Sequence, residues 1–157
     1  EIPHVTVIPA IDALNMSDFI HNSKASNLML GSRLARCVLH KLYSVGVGAS
    51  APEISSAYLI SDRCVRLSFD NVTEFLSDLN ARTSEYPISI LDSDGIIPIE
   101  SVNIMANTVE ITLQREPVLP IYAQGQTGID PRTFIIDYGT GIPMLCFADF
   151  EISDKRK

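Results

Sequence analysis

The sequence predicts an α+β protein in two unlike parts. A strand–loop–helix unit of α/β type spans residues 1–46, and an antiparallel β-sandwich or jelly roll spans residues 47–157. Three observations carry that expectation. A near-continuous apolar run is followed by a polar loop and one amphipathic helical pattern. A glycine-containing stretch then interrupts the chain. Beyond it the hydrophobic period changes from helical to two.

Residues 5–11, Val-Thr-Val-Ile-Pro-Ala-Ile, read as a strand buried on both faces, as in a parallel sheet. A polar loop runs from Asp12 to Asn22. Asn22 or Ser23 can then cap a helix that reaches about Tyr43. Leu30, Leu34, Val38 and Leu42 recur at four-residue spacing, with Ala35 and Leu39 beside them, as one apolar stripe. Arg33, Arg36, His40 and Lys41 fill the other side.

Gly46, Gly48, Ser50 and Pro52 mark a linker. In the next segment Arg63, Val65, Leu67 and Phe69 share one face, with Cys64, Arg66 and Ser68 on the other. Val109, Ile111 and Leu113 alternate with Thr108, Glu110 and Thr112 in the same way. Further strands are expected at Ile54–Ile60, Tyr86–Leu91, Ile96–Glu100, Val102–Met105, Leu119–Ala123, Thr133–Asp137 and Met144–Phe150. Turn signals separate them at Asp92-Ser93-Asp94-Gly95, Ala106-Asn107, Gly125–Gly128 and Gly139-Thr140-Gly141. Short strands with polar turns are the pattern of an antiparallel sandwich.

The chain has 157 residues, 46% of them hydrophobic, enough for a packed core without disulfides or metal. A net charge of −7 argues against nucleic acid as a partner, which calls for a basic footprint. No apolar run is long enough to span a membrane. Cys37, Cys64 and Cys146 show no paired spacing, and His4, His21 and His40 no metal-ligand spacing, so neither a disulfide framework nor a metal site is expected. The first residues, Glu-Ile-Pro-His, carry no initiator Met and no signal peptide, the pattern of a fragment or processed chain.

One short segment carries chemistry. Asp18-Phe19-Ile20-His21 sets an acid three residues before a histidine, in the loop between the expected strand and helix. A serine hydrolase needs an imidazole to take the nucleophile's proton and a carboxylate to hold the ring in the right tautomer. Asp18 and His21 on one turn can do both. Asp12 is a second candidate carboxylate, with a cap at the strand end as its plainer role. No Ser lies in a nucleophile's context, and Ser17 reads as loop. Asp92-x-Asp94-Gly95 opens like a calcium loop but has Asn103 at its twelfth position, so a hairpin turn is expected there. The five tyrosines, Tyr43, Tyr58, Tyr86, Tyr122 and Tyr138, include candidates for sugar stacking alongside ordinary packing roles, and Asp137-Tyr138 reads as a surface contact.

Around the acid and histidine, Ala10-Ile11-Asp12, Lys24, Gly31-x-Arg33-Leu34-Ala35 and Lys41-Leu42-Tyr43 resemble the closing segment of the sialate O-acetylesterase group within the SGNH hydrolases. Gly141-Ile142-Pro143-Met144-Leu145-Cys146-Phe147 looks like the Leu-Pro-Ala-x-Pro-Phe stretch that ends that family's β-rich region. The Asp92–Ile97 turn with Pro98 sits where the family has an Asp-Gly turn and a following strand. The departures are specific. Asn22 stands where the family has Pro after the histidine, Lys24 comes one position early, and the Gly-Asp-Ser nucleophile block and oxyanion blocks are absent.

The resemblance implies that residues 1–46 close an SGNH-like hydrolase domain and residues 47–157 form a β-sandwich accessory domain. It implies His21 as general base and Asp18 as its orienting partner in a carbohydrate O-acetylesterase. The substrate would be an acetylated carbohydrate, with no cofactor. The nucleophilic Ser would come from an N-terminal catalytic portion or a second chain. An extracellular, lysosomal-type or virion-associated setting is expected over a cytoplasmic one. The alternative is a non-catalytic β-sandwich module that binds glycan or serves assembly on a cell-surface or virion structure.

Overall fold

A computed structural model describes residues 5–16, 18, 20–46, 50–78, 86–127 and 133–156. Alternation dictates its main sheet. Val65, Leu67 and Phe69 on β2 (Cys64–Asp70) and Val109, Ile111 and Leu113 on β7 (Thr108–Leu113) all point inward and are buried, while Cys64, Arg66 and Ser68 face the other way. These strands pair antiparallel with β1 (Glu53–Ser61) and β6 (Ile99–Met105), and β12 (Ser153–Asp154) adds to β1 in parallel, giving the order β12-β1-β2-β7-β6. A four-stranded sheet has the order β11-β8-β4-β5, with β4 at Ile88–Asp92, β5 at Gly95–Ile97, β8 at Tyr122–Gly125 and β11 at Phe147–Glu151. The third sheet, β10-β9-β3, joins Ile142–Pro143, Ile135–Asp137 and Leu76–Asp78.

The sheets share one core. Leu59, Val65, Leu67, Phe69, Val109, Ile111 and Leu113 meet Ile88, Ile90, Ile97 and Ala123 from the second sheet and Leu76 and Ile135 from the third. This is the β-rich half expected from the alternation. Asp92 pairs with Gly95 across a two-residue turn, and Met105 with Thr108, so both hairpins fall where the turn signals placed them. Gly95 (φ +105°) and Ala106 (φ +51°) supply the left-handed backbone those turns need. Asp92 also grips Arg115 through both carboxylate oxygens, and that contact, opposed by burial, holds its carboxyl well below the usual range. Residue 128 of the Gly125–Gly128 turn and residues 47–49 of the linker lie outside the described residues.

The α/β unit is not formed, which corrects the fold class. Residues 5–10 adopt no strand and residues 11–12 make a turn. Val5 and Val7 are 59% and 60% exposed. A strand buried on both faces exists only between neighbouring strands, and no strand among the described residues pairs with this run. Pro9 has no N–H to give to a ladder, and its carbonyl accepts from Arg33 instead. The molecule is therefore mostly β, with three small sheets and a single helix among the described residues, and it contains no SGNH-like α/β domain.

That helix, α1 (Lys24–Tyr43), has the predicted extent. Ser23 is its cap: the hydroxyl accepts from the Ser26 N–H at 3.1 Å. Ser44, in the left-handed region, ends it by donating its N–H to the His40 carbonyl. The helix faces the opposite way from its amphipathic pattern, however. Its buried residues are Ser26, Arg33 and Cys37. Leu34, Val38, Leu39 and Leu42 are 55%, 39%, 46% and 74% exposed. Arg33 is the cause. Its guanidinium makes a bidentate pair with Asp12 at 2.7 and 2.6 Å, donates to Pro9 O at 2.9 Å and reaches Gly141 O of the sandwich at 3.4 Å.

Candidate functional site

The loop between the irregular segment and α1 is closed by backbone contacts. Asn15 bridges Asn22, Met16 N donates to His21 O at 2.7 Å, and Ser23 N donates to Leu14 O at 2.9 Å. Ser26 Oγ adds a further bond to Leu14 O, tying the loop to the first turn of the helix. The tip of this loop carries the acid and the histidine.

Asp18 organises that tip. Its Oδ1 accepts from the backbone N–H groups of Ile20 and His21, each at 3.1 Å, the turn that a short acidic side chain makes with its own backbone. Its Oδ2 lies 2.8 Å from Nδ1 of His21. The bond to the His21 ring, with the two backbone bonds behind it, holds the Asp18 carboxyl below its ordinary value. An ionised carboxylate only accepts, so Nδ1 carries the proton and the neutral ring keeps its lone pair on Nε2. Nε2 has no partner among the described residues, and the His21 side chain is 69% exposed. A free Nε2 lone pair backed by a carboxylate is the arrangement of a general base.

Sequence reasoning brought Asp18 and His21 together, and the structure does the same. It does not bring Asp12 to the ring. Both Asp12 oxygens are engaged by Arg33, so the second candidate is an anchor for the helix and not an orienting carboxylate. The anchoring role of Arg33 was missed, because the helical pattern placed it only on the side opposite the apolar stripe. The one available signal was Asp12 itself, a lone acid at the end of an apolar run. Ser17 and His4 lie outside the described residues. His40 uses Nδ1 on Gly46 O at 3.0 Å, at the end of α1. Among the described residues no group of three or more His, Cys, Asp or Glu side chains could hold a metal.

The surroundings of the pair are apolar and open. Leu14, Met16 and Ile20 in the loop are 75%, 45% and 79% exposed. Gly31 lies on that stripe, in the middle of the helix, and a Cβ there would meet nothing within 4 Å. Nothing among the described residues requires a glycine at that point, although glycine weakens a helix interior by about 1 kcal/mol relative to alanine.

No protein-family model and no curated protein sequence matches the chain. Among the solved structures that superpose on it are two that share its fold. A carbohydrate acetylesterase from Xanthomonas citri superposes with a TM-score of 0.65 and 20% identity, over 82% of this chain and 29% of that one. The S-layer protein rSbsC superposes with a TM-score of 0.50 and 15% identity, over 83% of this chain and 17% of that one. The chain thus spans less than a third of the acetylesterase. At these identities the likeness is one of fold.

Proposed function

We propose that this chain is part of a carbohydrate O-acetylesterase, in which His21 is the general base and Asp18 its orienting partner. The observation that carries the proposal is the 2.8 Å contact between Asp18 Oδ2 and His21 Nδ1, with Nε2 left free on an uncovered apolar surface. The fold likeness to a carbohydrate acetylesterase, over 29% of that protein, supports both the reaction class and the need for further catalytic parts. The nucleophilic Ser and the oxyanion donors come from a catalytic portion or second chain seated on the exposed stripe of α1. The open Cβ position at Gly31 supports a close approach there.

The chemistry is acyl transfer. Nε2 of His21 takes the proton of the Ser hydroxyl as its oxygen attacks the acetyl carbonyl. The protonated ring, held by the Asp18 carboxylate, then gives that proton to the departing sugar oxygen, leaving an acetyl-serine. Water attacks next, again losing its proton to Nε2. Acetate leaves, and the Ser oxygen recovers the proton from the ring.

The test compares the isolated chain with the native protein purified from its source, on nitrophenyl acetate and on acetylated xylan. The isolated chain is expected to be inactive and the native protein active. His21→Ala in the native protein is expected to lower kcat at least about a hundredfold. Hydrolysis by the isolated chain contradicts a nucleophile outside it, and full activity of His21→Ala contradicts the base assignment.

A second reading rests on the fold shared with the S-layer protein over 83% of this chain. In that reading the sandwich is an assembly module on a cell surface, and replacing Asp18 and His21 leaves its role unchanged.

A further inference from the structure

The loop of residues 71–75, after β2, and the turn of residues 138–141, after β9, lie side by side because β3 pairs with β9, with Leu76 opposite Asp137. One carboxylate ties them together. Asp137 is 1% exposed. Its Oδ1 accepts from the N–H groups of Thr73 and Glu74 at 3.1 and 3.2 Å, and its Oδ2 accepts from the hydroxyls of Thr73 and Thr140 at 2.5 and 2.7 Å. Burial pushes this carboxyl up, and the four hydrogen bonds outweigh it, so it stays ionised.

This fixed frame presents two rings to solvent. Phe75 and Tyr138 stack with centroids 4.6 Å apart and planes 14° apart, yet they are 42% and 61% exposed. Beside them is a concave surface lined by Phe69, Asp70, Asn71, Val72, Glu74, Ala106 and Asn107. Glu74 belongs to both features. Its Cγ lies 3.0 Å from where a Cβ on Gly139 would stand, so the bare glycine lets the glutamate lie along the turn next to Tyr138. Asp70, Asn71 and Glu74 have no side-chain partner among the described residues. Asn107 donates to Phe69 O at 3.1 Å and keeps its own amide oxygen.

We infer that this face is a binding site for a neutral glycan chain. A pyranose ring carries polarised C–H groups on its flat face, which the negative face of an aromatic ring attracts. Its hydroxyls are donors, and the groove offers acceptors: two carboxylates and two amide oxygens. The same carboxylates repel uronic and sialic acids, in a protein of net charge −7. The site is built on the sandwich and owes nothing to Asp18 or His21.

The experiment is NMR titration and calorimetry of the chain carrying His21→Ala, with cellohexaose, xylohexaose and chitohexaose as neutral probes, and sialyllactose and oligogalacturonate as anionic ones. At least one neutral hexaose is expected to bind with a Kd of about 1 mM or tighter, with amide shifts at residues 70–75, 106–107 and 138–141. Tyr138→Ala is expected to weaken that binding about tenfold, and Tyr138→Phe to restore it. Glu74→Gln is expected to weaken it with an unchanged unfolding midpoint. Absence of binding to all three neutral hexaoses, tighter binding of an anionic probe, or full affinity in Tyr138→Ala overturns the proposal. Because His21 is already removed, these outcomes are separate from those of the esterase test.

Discussion

Leu59, Val65, Leu67, Val109, Ile111 and Leu113 of the sandwich are completely buried, whereas Leu34, Val38, Leu39 and Leu42 of α1 stand 39–74% exposed. Both sets obey a hydrophobic period. The difference lies in what covers them. The strands that carry the first set, β1, β2 and β7, find their cover within the chain, on the facing sheets. The helix is held to the chain by a polar anchor, Arg33 with Asp12, and its apolar stripe is uncovered. A hydrophobic period thus marks one side of an element, but does not say whether the fold buries that side. The acid and histidine sit in the loop just before that helix, and the His21 side chain is itself exposed.

Substitutions should separate the two regions sharply. Leu67→Ala removes a fully buried side chain and is expected to lower stability in urea by about 4 kcal/mol. A loss below about 1 kcal/mol would mean that the sandwich core is looser than its burial indicates. Arg33→Met strands Asp12 beside buried backbone and is expected to cost about 3 kcal/mol. That loss should appear as faster amide exchange along residues 24–43, with the sandwich still protected. Uniform loss of protection across both regions would contradict a helix held locally. Ser23→Ala removes the helix cap and should cost about 1 kcal/mol, read as the same local exchange. Leu34→Ala and Leu42→Ala, conservative in size change with Leu67→Ala, should shift the isolated chain by less than about 0.5 kcal/mol. A large effect at either position would show that the stripe is already packed within this chain.

The legible parts of the sequence were those whose partner is local or whose pattern is strict. β2 and β7 were readable because each buries one face and alternates without a break. The Asp92–Gly95 and Ala106-Asn107 turns were readable from their residues alone, and α1 from Ser23 and its length. β3, β10 and β12 have two or three residues each, too few for a period, and their pairing is set by distant partners. The run of residues 5–11 misled because an apolar segment reads as a strand whether or not neighbours exist to pair with it. At the candidate site, Asp18 and His21 were readable from spacing, since one turn joins them. Arg33 with Asp12, and Phe75 with Tyr138, were not, because only the tertiary fold brings them together.

The central claim is that Asp18 and His21 act as a unit on a nucleophile supplied across the exposed face. It is tested most directly by a double-mutant cycle on acetyl-ester hydrolysis by the native protein. Asp18→Asn alone is expected to lower kcat at least about a hundredfold, and in a His21→Ala background to lower it no further. Full activity of Asp18→Asn, or two losses that simply multiply, would contradict the claim.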